Sequence, residues 1–310
     1  MRILIALHDL TQIGGSQTWA LAMHNELAKR HDVEVFCAVN GEFGKQFDCE
    51  VHAAKLPSND FDLLLISQNV PMQILAPLNG YKIYTQHGPF HSAEKYPGGA
   101  DAVVAVSWET QTMLSARGYD STVIWNGIDL DTFKPDGRDD IEYDVLIACK
   151  GKRGTEMAVA ACEDELTCDV VNYKTAPTHN MAARINAAGG VITYGRGALE
   201  AMACGRRVFS FDARGNEQPR GDGWIDEEAA DHCMAHTGFN GRTPGGIWQV
   251  YDSAEQLRRD LVGEGGKPRW LSRPANWYGW QRRWSERSIC IKDKAKRYLA
   301  LIPTGVKHGA

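Results

Sequence analysis

VITYGRGALEAMACGRRVFSFDARGNE, residues 191 to 217, reads as a strand, a glycine turn, a helix, a second strand and a second glycine turn. Val191 to Tyr194 is a short β-branched and aromatic run that suits a buried strand. Gly195 and Gly197 let the chain turn sharply and bring backbone amides close to a ligand. Ala198 to Cys204 holds good helix formers, and Gly205 stops them. A further apolar run, Val208 to Phe211, ends at Asp212. A glycine turn feeding a helix N-terminus favours an anion, because unpaired amides and the helix dipole both point there. Glu200 is expected in the first turn of that helix, where its carboxylate can accept hydrogen bonds from hydroxyls. Phosphate together with sugar hydroxyl is the chemistry of a nucleotide.

The rest of the chain fits that reading. Its 310 residues are enough for two domains with separate cores, and 43% hydrophobic with 24% charged residues is the balance of a soluble globular protein. Apolar runs such as Asp62-Leu-Leu-Leu-Ile-Ser67 are strand-sized, so no membrane span is expected. MRILIALHDL carries Arg2 and His8 without a cleavage pattern and reads as a first strand, not a signal peptide. Eight cysteines without C-x-x-C pairs suit reduced thiols in a cytoplasmic protein. Residues 1–140 hold 18 acidic and 10 basic side chains, which resists broad docking of that half on a nucleic acid or anionic membrane. Residues 267–310 hold 2 acidic and 11 basic, which leaves the question open for the tail.

Taken in order, Arg2 to Leu7 forms a strand, and Thr11-Gln-Ile-Gly-Gly-Ser16 leads into a helix with Trp19, Met23 and Leu27 on one face. Ser16 is a plausible N-cap there. The fingerprint G-x-G-x-x-G is absent, which disfavours a plain dinucleotide site. Strand-like runs recur at Val33–Ala38, Leu63–Ile66, Lys82–Thr85, Ala102–Val106 and Thr122–Trp125, with helical or loop segments between them. Such alternation implies a parallel sheet covered on both faces and wound twice by right-handed crossovers. His87 follows the run Tyr84-Thr-Gln, at a strand's carboxyl end, where ligands of open sheets bind. A plain turn histidine is the alternative. After a polar linker at 136–140 the second half opens with the strand Tyr143–Ala148 and the cationic loop Lys150-Gly-Lys152-Arg153, which suits a diphosphate. Further strands are expected near Cys168–Tyr173, Val191–Tyr194 and Val208–Phe211, and a helix over Ser253–Leu261.

Two stretches carry a resemblance. GRGALEAMACGRRVFSFDARG resembles the nucleotide-sugar motif of retaining GT-B glycosyltransferases of the GT4 type, roughly E-x-F-G-x-x-x-x-E-A-M-A-x-G-x-P-V. Val123-Ile-Trp-Asn126-Gly127-Ile-Asp129-Leu-Asp131-Thr-Phe133-Lys-Pro135 resembles that family's hinge pattern V-I-x-N-G-V-D-x-x-x-F-x-P. The family's second glutamate falls on Glu200 and its glycine on Gly195. Its first glutamate, a donor-sugar contact, falls on Ile192, which departs from the pattern.

The resemblance implies an α/β protein of the GT-B fold: two Rossmann-like, doubly wound domains facing a cleft, with a C-terminal helix crossing back to the first. It implies an acceptor domain at residues 1–135, a donor domain at 136–275 with one or two βα units trimmed, and a helical tail at 276–310. Its activity would be metal-independent hexose transfer from a UDP or GDP sugar, with retention and no cofactor. His87, Lys150 and Arg153 would be the catalytic residues. Gly14, Gly15, Lys152, Gly195, Arg196, Gly197 and Glu200 would bind the donor. The acceptor is not named by the sequence, and a glycan, a protein, a small molecule or DNA would each fit. A degenerate protein that binds a nucleotide sugar without turnover also fits, as does a DNA-modifying enzyme; a sugar epimerase of this fold would need further acid/base groups.

Three motifs invite other readings. Asp129-Leu-Asp131 has the letters of a metal-binding D-x-D but belongs to the hinge pattern, so no metal is expected. His232 and His236 read as a helix segment. The tail's tryptophans (Trp270, Trp277, Trp280, Trp284) among arginines and lysines could meet nucleic acid. Their helical spacing, with Ile291, favours packing.

Overall fold

A computed structural model describes residues 1–57, 60–89, 91–138, 140–149, 151–163, 165–172, 178, 180–213, 218–236, 239, 249–263 and 279–304. The chain forms two compact units, one of residues 1–127 with 291–310, the other of residues 128–290.

In the first unit the strands are β1 (Arg2–Asp9), β2 (Asp32–Val39), β3 (Val51–Ala53), β4 (Leu63–Ser67), β5 (Tyr81–Gln86), β6 (Ala102–Ala105) and β7 (Thr122–Val123). The helices are α1 (Gly15–Leu27), α2 (Asn69–Ile74) and α3 (Trp108–Ala116). All strands pair in parallel in the order β3-β2-β1-β4-β5-β6-β7. The order reverses between β1 and β4, which opens a crevice at their carboxyl ends. Alternation along β1 sends Ile3, Ile5 and Leu7 into one core with Trp19 and Met23 of α1, and Leu4 and Ala6 into another with Met72 and Leu114. Both faces are buried, as parallel sheets require. Strand β3 was not expected from sequence; its three residues are too few to show a period.

The second unit contains β8 (Tyr143–Ile147), α4 (Lys152–Cys162), β9 (Cys168–Val170), α5 (Met181–Asn186), β10 (Ala188–Thr193), α6 (Arg196–Ala203) and β11 (Arg207–Asp212). It continues with β12 (Arg220–Trp224), α7 (Glu227–His236), β13 (Gln249–Val250), α8 (Ala254–Val262) and α9 (Gly279–Ser288). The sheet runs β13-β12-β11-β10-β8-β9, with β9, β8, β10 and β11 parallel and β12 and β13 antiparallel. Val145, Ile147, Ile192, Phe209 and Phe211 make its core with α4 and α8.

The last helix, α10 (Ile291–Leu299), belongs to the first unit. Tyr298 shares a 3.0 Å hydrogen bond with Thr85 and lies against Trp19, while Arg297 donates to the Val123 carbonyl at 2.9 Å. In α9, Trp284 is buried and donates through Nε1 to Asp231 at 2.6 Å. Arg282 donates to the carbonyls of Leu130, Phe133 and Ala203, so its cation closes the last turn of α6 and the segment after residue 127. These described tail residues pack within their units; Trp270 and Trp277 lie outside the described residues.

Candidate functional site

The second sheet brings three chain ends to its carboxyl edge. β8 gives way to Ala148 and Cys149, whose positions are fixed by Ala148 N–H to the Ile192 carbonyl (2.9 Å) and Thr193 Oγ1 to the Ala148 carbonyl (3.1 Å). Gly151, at φ +98°, then turns the chain into α4. Lys152 and Arg153 are its first two residues and both are exposed. Lys152 lies 3.7 Å from Glu156, whereas Arg153 makes no hydrogen bond or ion pair among the described residues. A Cβ on Gly154 would stand 2.7 Å from that of Ala213, which places the start of α4 against the end of β11. Lys150 lies outside the described residues.

The turn after β10 differs in detail from the sequence reading. Gly195 does supply a sharp turn, at φ +56° and ψ −130°, but its amide donates to the Phe239 carbonyl at 3.0 Å and is spent on the fold. Gly197 is helical, and its missing side chain serves close packing: a Cβ there would come within 2.4 Å of Thr193 Oγ1. The helix starts at Arg196, two residues earlier than expected, so Glu200 falls in its second turn and not its first. Glu200 is buried and accepts from Arg196 Nε at 3.0 Å. Burial works against both charges, raising the Glu200 carboxyl and lowering the Arg196 guanidinium, while each holds the other ionised and Asp129 adds to the hold on Arg196. The pair stands at a helix start, where backbone amides lack intrahelical acceptors.

Ile192 is fully buried inside β10 and packs in the core with Val145 and Phe209. Its side chain points into that core and away from solvent. Asp129 builds its own turn, accepting from Asp131 N at 2.9 Å and Thr132 Oγ1 at 2.8 Å. The rings of His232 and His236 meet edge-on along α7, their centres 4.4 Å apart. Among the described residues one cluster has the spacing of a cation site, Glu34, Glu50 and His52, and Arg2 already bonds Glu34 there at 2.6 Å.

At the carboxyl edge of the first sheet, Gly14 caps α1 and Gly15 opens it. No side chain caps that helix, so Ser16 is not its N-cap; the extended residue that precedes the helix is Gly14. Gly15 faces open space, since a Cβ added there would meet no atom within 4 Å. His87 follows β5, with its ring edge-on to Trp19 at 4.9 Å and its amide donating to Glu94 Oε2 at 3.0 Å. The buried Glu94 went unnoticed in the sequence: it lies in a polar loop, and no period there announces burial.

No family model matches the chain, and no curated protein does. Solved structures do match in fold. Anabaena HepE in complex with UDP-glucose is 13% identical with a TM-score of 0.66, over 97% of this chain and 100% of that one. Sucrose-phosphate synthase from Thermosynechococcus elongatus is 13% identical with a TM-score of 0.62, over 97% and 98%. An alpha-glucosyltransferase in complex with UDP and a 13-mer DNA containing a HMU base is 12% identical with a TM-score of 0.60, over 97% and 99%. At these identities the likeness is one of fold, and the fold is GT-B. Among the described residues no helix is long and apolar enough to cross a membrane.

Proposed function

We propose that the protein is a GT4-like glycosyltransferase that moves a hexose from a UDP or GDP sugar to an acceptor with retention at the anomeric carbon. One observation carries this reading. Within a fold shared with proteins crystallised with UDP and UDP-glucose, α4 and α6 both start at the carboxyl edge of one sheet, and the first brings exposed Lys152 and Arg153.

The chemical demand is charge on the departing diphosphate. Lys150, Arg153, Lys152 and the first amides of α6 would meet it with fixed donors and cations, so the reaction needs no metal. Glu200 would take ribose hydroxyls through the carboxylate that Arg196 holds, Gly14 and Gly15 would let backbone approach the phosphates, and His87 would orient sugar or acceptor. The sequence motifs contain no pair of carboxylates like a retaining glycosidase's, which favours departure and attack on one face of the sugar over a covalent intermediate. Residues 1–135 would hold the acceptor and 136–275 the donor, and the tail from 276 would return to the first domain through α10. The eight free cysteines support a cytoplasmic setting.

Incubation with a panel of UDP and GDP hexoses, with donor hydrolysis followed by NMR at the anomeric proton, tests the reading. Slow release of α-configured sugar from an α-linked donor is expected, and absence of turnover with every donor overturns it. In that event tight nucleotide-sugar binding by calorimetry selects a non-catalytic binding protein, which the buried Ile192 favours. DNA as acceptor would show as retention on DNA that weakens with salt.

A further inference from the structure

Among the described residues three large apolar side chains are exposed, Val39, Leu56 and Trp108, and they stand at or just past the carboxyl ends of β2, β3 and β6 in the first sheet. Trp108 is the largest of them and the most exposed, at 46%. It opens α3, and its place there is fixed by the buried Ser107, whose Oγ accepts from Thr110 N at 3.2 Å and shares a 3.0 Å bond with Thr110 Oγ1. Two strands away, Gln68 follows β4 at φ +75° and ψ 153°, a backbone conformation that glycine enters freely and other residues only at a cost. Its Oε1 accepts the His8 amide at 2.8 Å across the crevice where the strand order reverses. That bond settles which end of the carboxamide is oxygen, because a backbone N–H needs an acceptor. The half-buried side chain is left with an NH2 group that bonds to no described residue.

We propose that Gln68 and Trp108 form the acceptor subsite, and that the acceptor is an uncharged carbohydrate that lays a C–H face on the Trp108 ring and offers hydroxyl oxygens to the Gln68 amide. β4, β5 and β6 are neighbours in the sheet, so their ends span about 10 Å, the reach of one or two sugar rings, with His87 in the middle after β5. A pyranose has polarised C–H bonds on its faces and hydroxyls around its rim. The negative face of an indole attracts the first, and an amide N–H donates to the second. A side chain held in so unfavourable a conformation as that of Gln68 points to a use for it. Asp9 at the end of β1 and Glu109 beside Trp108 put acid at this edge, and residues 1–140 carry an acidic excess, which favours a neutral partner over a nucleic acid.

The sugar subsite stands on these residues; that its sugar is the acceptor rests on the glycosyltransferase reading. The test follows the Trp108 indole N–H by NMR in the isotope-labelled full chain, assigned against Trp108→Phe. Methyl glycosides of glucose, galactose, mannose and N-acetylglucosamine are added in turn, then maltose, cellobiose and lactose. At least one sugar should shift the signal and show saturation transfer to its ring C–H protons. Its dissociation constant should rise about two- to tenfold in Trp108→Ala, and less in Trp108→Phe, which keeps an aromatic face. It should rise by a similar factor in Gln68→Glu, which keeps an oxygen for the His8 amide and loses the NH2 donors. Urea midpoints of the variants confirm that they fold. An indole signal that no sugar moves, or a dissociation constant unchanged in Trp108→Ala or in Gln68→Glu, overturns the subsite. A signal moved by short double-stranded DNA and by no sugar replaces it with a nucleic-acid surface. With UDP-glucose as donor, the bound sugar should be glucosylated, and its KM should rise in both variants by the factor that binding shows. Binding that needs both residues in a protein that turns over no donor removes the transferase reading and leaves the subsite standing. Transfer to that sugar with KM untouched in both variants does the reverse.

Discussion

Arg196 Nε and Glu200 Oε1 lie 3.0 Å apart on consecutive turns of α6, with both side chains 8% exposed. A buried pair of this kind is costly to break from one side, because the survivor keeps its charge without a partner. Glu200→Ala should therefore cost about 3–5 kcal/mol of folding stability. Glu200→Gln, which keeps an acceptor for Arg196, should cost much less while weakening UDP-glucose binding about tenfold or more if the carboxylate holds ribose. Urea unfolding and calorimetry read the two effects separately.

Arg153 gives the opposite contrast. It is exposed and bonds to no described residue, so Arg153→Ala should leave stability within about 0.5 kcal/mol of the wild type. As a diphosphate ligand it should lower kcat for the donor by about 10²–10³. Lys150→Ala should likewise abolish turnover with little effect on folding. Unchanged kcat in either variant takes that residue out of the site.

Gly197 tests the packing of α6 on β10. Thr193 Oγ1 is bonded to the Ala148 carbonyl, so it cannot swing away from a new Cβ at 2.4 Å without losing that bond. Gly197→Ala should destabilise by about 1–3 kcal/mol, as overpacking does. Thr193→Ala should recover part of the loss in the double variant, an interaction a thermodynamic cycle measures. Strict additivity would show that the two sites do not meet.

The Glu94 acid also fixes a slope of stability against pH. Its folded value of about 7 lies above the ordinary 4.5, so the folded protein keeps a proton that the unfolded chain has lost between those values. Its contribution is full below pH 4.5 and is lost as pH rises toward 7, on the order of 3 kcal/mol in all. Glu94→Gln should therefore gain stability relative to the wild type as pH goes from 5 to 7.5. Urea midpoints of both proteins at the two pH values give the difference, and parallel curves would show that Glu94 ionises normally when folded.

Much of the architecture was legible because parallel strands buried on both faces write themselves as short apolar runs. Leu63–Ile66 and Lys82–Thr85 were placed to within one residue at each end. Glycine likewise marked the turn at Gly151, but the cations Lys152 and Arg153, which read as loop, already belong to α4. What failed was the fine placement of groups. Glu200 was set one turn too early because a helix start is fixed by hydrogen bonds, and α6 begins at Arg196, inside what reads as the turn. The Arg196 partnership was invisible until the helix placed positions 196 and 200 on one face. β12 and β13 went unread because Arg220–Trp224 contains two glycines and Gln249–Val250 is too short to show alternation. The burial of Glu94 depends on how its loop folds against the turn after β5, about which local pattern says nothing.

Ile192 carries a lesson for anyone who would restore the absent acid. Counting back from Glu200 along the motif lands inside the hydrogen-bonded ladder, because β10 continues to Thr193. A glutamate grafted there would be driven among Val145, Phe209 and Tyr251, and would come out neutral or unfold its neighbours. If this unit holds a donor sugar, a carboxylate meant for it belongs past Thr193, where β10 ends, and not at the buried position 192.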